Sequence, residues 1–314
     1  MTSKLRFGVI SESVLAGPAW LDHARRIEDD GIGALLLRDH FSAGAYGQQL
    51  APFSALAAAA TATTRLHVGT LVLANDFRHP VLVAHEAATL HHLSGGRFEL
   101  GLGAGWYRPE YEAAGLDFQP ARQRIDRLEE ALTIISGLLE GAQVDQAGTA
   151  YQVTGLGLDV LPPLQGRPRL LVGAGGPRML GVAGRHADTV GLLPAPIKSG
   201  EDRDDPLDLL PAALDQKIAV LRARAGDRFP ALELSAFATI RITSHRRQDT
   251  EALMARRGWG GIDVSAVWQM PTIFIGSVEQ IRADLQARRE RFGLSYLVTP
   301  DRDRPALAKI IAGL

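Results

Sequence analysis

The feature that most limits the fold is a rhythm: a short apolar run followed by a helix-length segment, repeated along the chain. The runs cover residues 5–10, 34–37, 67–73, 98–102, 169–172, 189–193, 232–242 and 295–298. Most are short and rich in Val, Ile and Leu, which suits strands buried on both faces. The intervening segments carry helix signals. Pro18 opens the first, in which Trp20, Ala24 and Ile27 recur at helical spacing before Gly31 and Gly33 end it. Segment 52–61 is small and Ala-rich, and 80–92 is stopped by Ser94-Gly95-Gly96. The clearest helix follows the fourth run. There Ile125, Leu128, Leu132, Ile135 and Leu139 make one apolar stripe, with Arg122, Arg124, Asp126, Arg127 and Glu130 mostly outside it. Segments 177–185, 207–225, 277–292 and 305–311 read as further helices. Eight strands, each with a helix behind it, predict one closed parallel (β/α)8 TIM barrel over residues 1–314. Residues 141–168 break the rhythm and predict an excursion with room for a hairpin. An open doubly wound sheet is the alternative, but its dinucleotide fingerprint is missing. Gly101-Leu102-Gly103-Ala104-Gly105 leads into Trp106-Tyr107-Arg108-Pro109 rather than an evident helix, and residues 11–17 hold no glycine triplet.

Composition narrows the function classes. With 314 residues, 46% of them hydrophobic, the chain has ample material for a large core. Its formal net charge of -1 creates no field for polyanions, so no nucleic-acid partner is expected. Cysteine is absent, which removes disulfides and thiol nucleophiles. The first residues run straight into a strand, and no stretch approaches a membrane span, so a cytoplasmic protein without membrane attachment is expected.

In such a barrel, chemistry collects where strands end. The second strand delivers Asp39 and His40. The histidine can exchange a proton or orient a substrate, and the aspartate can fix its tautomer, although strand neighbours normally face opposite ways. A loop histidine bonded to backbone is the plainer reading. The third strand leads to Asn75, either a binding amide or part of a turn with Asp76 and Arg78. His85, His91 and His92 lack the spacing of a metal pair, so no metal is expected. The fourth strand ends in Gly103, Ala104 and Gly105, then Trp106 and Glu110. Glycines there admit a flat ligand close to the backbone, and Glu110 fits a buried acid; an ordinary surface loop is the alternative. The fifth strand ends in Gly173-Ala174-Gly175-Gly176-Pro177-Arg178. It reads as a phosphate cradle at a helix start, or as a plain tight turn.

These residues resemble the luciferase-like monooxygenase superfamily. Leu66-His67-Val68-Gly69-Thr70 with Arg78-His79-Pro80 is similar to its third strand and helix start. Leu93 to Phe98 (LSGGRF) with Gly101 to Trp106 (GLGAGW) is its most distinctive stretch. Gly173 to Arg178 with His186-Ala187-Asp188, and the stretch 271–282, match further motifs. The likeness spans nearly the whole chain and implies a TIM barrel that binds FMN or the deazaflavin coenzyme F420. It also implies a non-proline cis peptide at Leu71–Val72, behind the ring. Where FMN-using relatives carry a phosphate-holding arginine, this chain has Ala104, and Asp39-His40 with Glu110 match acid–base residues of the F420-dependent branch. The resemblance therefore implies hydride transfer between coenzyme F420 and a small or medium organic substrate. In those relatives the His lies near the hydride-transfer carbon and the Glu near a ring nitrogen. The alternatives are an FMN-dependent monooxygenase using dioxygen and a flavin reductase, and a non-catalytic flavin-binding protein. Two departures stand out. The sugar-phosphate dehydrogenases of the branch carry an aromatic residue just after the His, where Ser42, Ala43 and Gly44 stand here and Tyr46 is the substitute on offer. Lys198, which follows the sixth strand, is the candidate for a second phosphate clamp, with a plain loop lysine as the alternative. The resemblance also implies a homodimer through the second and third helices.

Overall fold

In a computed structural model of the chain, which describes residues 4–43, 46–162, 166–194 and 205–314, the eight runs form one closed barrel. Its strands are β1 (Arg6–Ile10), β2 (Ala34–Leu37), β3 (His67–Thr70), β4 (Phe98–Gly103), β5 (Arg169–Ala174), β6 (Thr189–Leu192), β7 (Glu233–Phe237) and β8 (Leu294–Pro300). They pair in the order β3-β2-β1-β8-β7-β6-β5-β4, all parallel, and β4 returns to β3 to close the ring. Closure leaves no free edge in the main sheet. Around it lie α1 (Gly17–Asp29), α2 (Pro52–Ala62), α3 (Pro80–Leu93), the short α4 (Arg108–Ala113), α5 (Ala121–Leu139), α6 (Pro177–His186), α7 (Pro211–Ala225), α8 (Arg246–Arg257), α9 (Val264–Gln269), α10 (Val278–Phe292) and α11 (Arg304–Ile311).

Side-chain alternation divides the core into two layers. Ile10, Ala34, Leu36, Leu171, Tyr296 and Val298 pack together along the axis. Leu35, Leu37, Leu100 and Val172 point outward against helices, where Leu128, Leu132 and Ile135 of α5 bury its stripe. Arg124 departs from expectation: it is buried at the edge of that stripe instead of facing solvent. The LSGGR stretch proves architectural. Arg97 donates to the carbonyls of Ala60 (2.9 Å), Thr63 (3.2 Å) and Leu66 (2.6 Å), tying the end of α2 to the start of β3.

The base of the barrel is closed by charge. Arg6 forks onto Glu99 at 2.6 and 2.8 Å and lies 3.8 Å from the Tyr296 ring centroid, while His67 approaches Glu99 at 3.1 Å. Burial alone would raise the Glu99 carboxyl, but its contacts to His67 and Arg6 outweigh this and hold it at about 2.

Four local features differ from the sequence expectation. The third run breaks at Leu71–Val72, whose peptide bond is cis as the resemblance implied, and pairing resumes at Leu73–Ala74 against Leu102 and Gly103. The seventh run splits at Ala238, whose N–H still bonds Val298 O at 2.7 Å. Thr239–Ile242 then leaves the barrel and pairs with Ile273–Gly276, a strand hidden in the sequence behind Pro271. Arg108–Ala113 is helical despite the aromatic pair before it, and Val264–Gln269 is a further short helix outside the repeat. The 141–168 excursion does contain a hairpin, Val144–Ala147 with Gln152–Leu156. Glu130 of α5 accepts N–H groups from Thr149, Ala150 and Tyr151 and fastens its tip. Among the described residues, no helix is long and apolar enough to cross a membrane.

Candidate active site at the barrel mouth

Strand β2 sets the site by continuing its alternation. Ala34 and Leu36 face the axis, so Arg38 and His40 follow on the same side and Asp39 faces away. Asp39 is buried, and its carboxylate takes both Arg78 Nη atoms (2.6 and 2.9 Å) and the N–H of Ala74 (3.2 Å). It anchors the β3–α3 connection and makes no hydrogen bond with the His40 ring, contrary to the expected role in fixing that ring.

The ring is held instead by Glu110. His40 Nδ1 lies 2.9 Å from Glu110 Oε2. Glu110 Oε1 accepts the backbone N–H groups of Phe41 and Ser42, the latter at 2.7 Å. Helix α4, absent from the sequence expectation, carries Glu110 across the mouth and buries it, and both carboxylate oxygens are engaged as acceptors. With Nδ1 turned to Glu110, Nε2 is the His40 nitrogen left for a substrate. Three aromatic rings surround it. The centroid of Tyr46 lies 5.4 Å from that of His40, Trp106 6.2 Å and Tyr107 6.3 Å. Tyr46 thus supplies the aromatic neighbour that Ser42 and Ala43 do not.

The neighbouring part of the mouth is apolar and is built around the bulge at Leu71–Val72, which follows the strand paired with β2. The glycines beside it do not simply leave open space, contrary to expectation. A Cβ on Gly101 would strike the Thr70 carbonyl, one on Gly103 would lie 2.7 Å from Val72 Cγ2, and one on Gly105 would strike the Tyr111 hydroxyl. These glycines let the bulge and α4 pack against β4. A Cβ on Gly173 of β5 would lie 3.2 Å from Leu193 Cδ1 and 3.7 Å from Val72 Cγ1, and one on Gly175, just beyond the strand, would strike the Pro194 carbonyl. Gly176 is different: nothing lies within 4 Å of a Cβ built there, and it caps the N-terminus of α6 without a side-chain partner. Ala174 is buried beneath it, and Pro177 begins the helix. Arg178 points outward and pairs with Asp126 of α5, away from this cradle. Asn75 is buried and donates to the Tyr151 hydroxyl at 3.2 Å. An arginine does approach Ala104, namely Arg124, but it bonds the carbonyls of Ala104 and Gln119 and lies over the Phe118 ring. Lys198 lies outside the described residues. Among those described, no group of three or more His, Cys, Asp or Glu side chains could hold a metal.

Fold and site together define a TIM-barrel protein that carries the His40–Glu110 pair beyond the C-terminal end of its second strand. The family model for luciferase-like monooxygenases matches residues 11–206, and the chain belongs to that family. Over 309 residues it is 31% identical to the F420-dependent glucose-6-phosphate dehydrogenase of Microbacterium testaceum, covering 96% of this chain and 86% of that one. It is also 31% identical over 187 residues to the 4-hydroxyprotoasukamycin monooxygenase of Streptomyces nodosus subsp. asukaensis, covering 59% of this chain and 49% of that one. Among solved structures, an F420-dependent secondary alcohol dehydrogenase in complex with an F420–acetone adduct matches with a TM-score of 0.76. The identity there is 18%, over 99% of this chain and 98% of the other.

Proposed function

We propose that this protein is an F420-dependent oxidoreductase moving a hydride between the coenzyme and a small or medium organic substrate. The observation that carries the reading is the His40–Glu110 pair at the mouth, beyond the strand that neighbours the Leu71–Val72 bulge. The residues present fit the coenzyme. Leu71 and Val72 offer an apolar wall to a flat ring, Gly103, Ala104 and Gly105 bound it, and Asn75 flanks it. The open backbone at Gly176, held by Gly173, Ala174 and Gly175 beneath it and followed by Pro177 and Arg178, suits an anionic tail at the α6 N-terminus. Bound there, the deazaflavin would supply the site that accepts or gives up the hydride. The chain's own part is protonic and positional. Glu110 fixes His40 through Nδ1, and Nε2 takes the proton of a substrate hydroxyl or returns it to a carbonyl oxygen. The aromatic rings of Tyr46, Trp106 and Tyr107 keep water from the reacting oxygen.

Titration of the purified apoprotein with each cofactor tests the assignment: F420 binds tightly and FMN weakly. Tight FMN binding without F420 binding would overturn it and favour a dioxygen-using monooxygenase with a reductase partner, a reading supported by the asukaensis relative. Tight F420 binding without turnover across a broad substrate panel would instead favour a non-catalytic binder. The dimer proposed through α2 and α3 finds support in Leu82 and Leu93, 59% and 57% exposed on α3. Sedimentation at micromolar concentration checks it.

A further inference from the structure

The inward alternation of β2 places a second polar side chain at the mouth that the proposed chemistry does not use. Arg38 continues the Ala34–Leu36 row, and only 8% of it is exposed. Its guanidinium sits 4.0 Å from the Tyr46 ring centroid and 5.6 Å from that of Phe237 at the end of β7. Nη1 bonds Glu12 Oε1 at 2.9 Å. Nε and Nη2 form no hydrogen bond among the described residues. Glu12 does not belong to Arg38 alone, because its other oxygen is taken by Arg302. One carboxylate therefore serves two guanidiniums, while Asp303, Arg241 and the Ser11-bound Asp301 lie farther along the same rim. Neither Nε nor Nη2 is fully buried, so this edge of a largely buried arginine is open at the mouth to a ligand or to ordered water.

We propose that Arg38 is a specificity-determining residue that binds a carboxylate of the substrate. The free Nε–Nη2 edge matches the two oxygens of a planar carboxylate. The Tyr46 ring neighbours both the guanidinium and His40, so a substrate held by Arg38 presents an apolar or aromatic body to Tyr46 and its reacting carbon to His40. A phosphate dianion would call for more donors than this single edge provides. The inference deepens the proposed function by naming its substrate class, and rests on that reading for the role of His40.

Benzoate and benzamide, alike in shape and different in charge, test it by calorimetric binding to the F420-loaded protein. Benzoate is expected to bind at least tenfold more tightly. Arg38→Met, which keeps the stem packed on Tyr46 and Phe237, abolishes that preference while leaving F420 affinity within twofold. Glu12→Gln, which frees Nη1, strengthens benzoate binding without touching the arginine. Equal binding of the two compounds, no benzoate binding up to millimolar concentration, or a preference that survives Arg38→Met would overturn the proposal. A preference lost with Arg302→Ala but kept with Arg38→Met overturns it in favour of the rim arginine. If F420 itself fails to bind, the cofactor reading falls, and the same benzoate comparison on the apoprotein still decides the role of Arg38.

Discussion

The two ends of the barrel both bury charge but use it differently. At the base, Arg6, Glu99, His67 and Glu233 face one another across the ends of four strands, and the Tyr296 ring seals the inner side. At the mouth, Glu110 orients His40 and Glu12 steadies Arg38, yet one ring nitrogen and one guanidinium edge stay uncommitted. Among the described residues the base also leaves atoms without a hydrogen bond, Arg6 Nε, His67 Nδ1 and the Tyr296 hydroxyl, but these are sealed from solvent, whereas the ring nitrogen and guanidinium edge at the mouth are not. The site is therefore recognised less by which ionisable atoms are left over than by which of them a ligand can reach.

The sharpest way to break this contrast is to remove a group at each end. His40→Ala should lower kcat by roughly 10²–10⁴-fold, the usual range for a lost general acid or base, while the thermal midpoint hardly moves. Retained turnover would end the catalytic assignment. Glu99→Leu should do the reverse. Removing one partner of a buried pair leaves a charge unmatched and costs about 3 kcal/mol of stability, read as a lower urea midpoint, with kcat per folded molecule preserved. Acid titration gives a smaller, graded effect. Burial tends to raise Asp301, but the His23, Ser11 and Ser13 contacts prevail and hold it at about 2, as His67 and Arg6 do for Glu99. Both folded values are depressed, so their stabilisation is present in full above the ordinary values of 3.8 and 4.5 and is lost as the pH falls towards about 2. Urea midpoints at pH 5 and pH 3 should differ, and Glu99→Gln should reduce the difference. The smallest change is expected from Arg178→Ala. An exposed ion pair contributes at most about 1 kcal/mol, and F420 affinity should hold within twofold. A tenfold loss would return Arg178 to the phosphate cradle.

The barrel was legible because its strands are buried on both faces, which leaves continuous apolar runs that periodicity detects. The strand Ile273–Gly276 escaped notice because it lies outside that repeat and pairs only with the detached end of the seventh run. Helix α4 was masked by Trp106 and Tyr107, although Pro109 near its start was a usable sign. At the site, His40 and Glu110 were visible as residue types, but nothing in their separation by seventy positions revealed that they touch. Asp39 and Arg178 looked functional by adjacency, and each turned out to be engaged by a partner from another element, Arg78 and Asp126. The glycines of β4 were read as room for a ligand. They are better understood from the bulky Val72 and Tyr111 that occupy the space, a relation that becomes visible only once β3 and β4 are side by side. Arg38 had a signal that went unused: it is two residues past Leu36 and two before His40, and so shares their face.

That spacing has an evolutionary corollary. The odd and even positions of β2 hold opposite characters, anchor and reagent, so gaining or losing a single residue within the strand would exchange them. Asp39 would swing onto the axis, while His40 and Arg38 would turn into the helical layer. Lineages of this barrel can therefore lengthen their loops freely, but they must inherit the frame of the second strand intact.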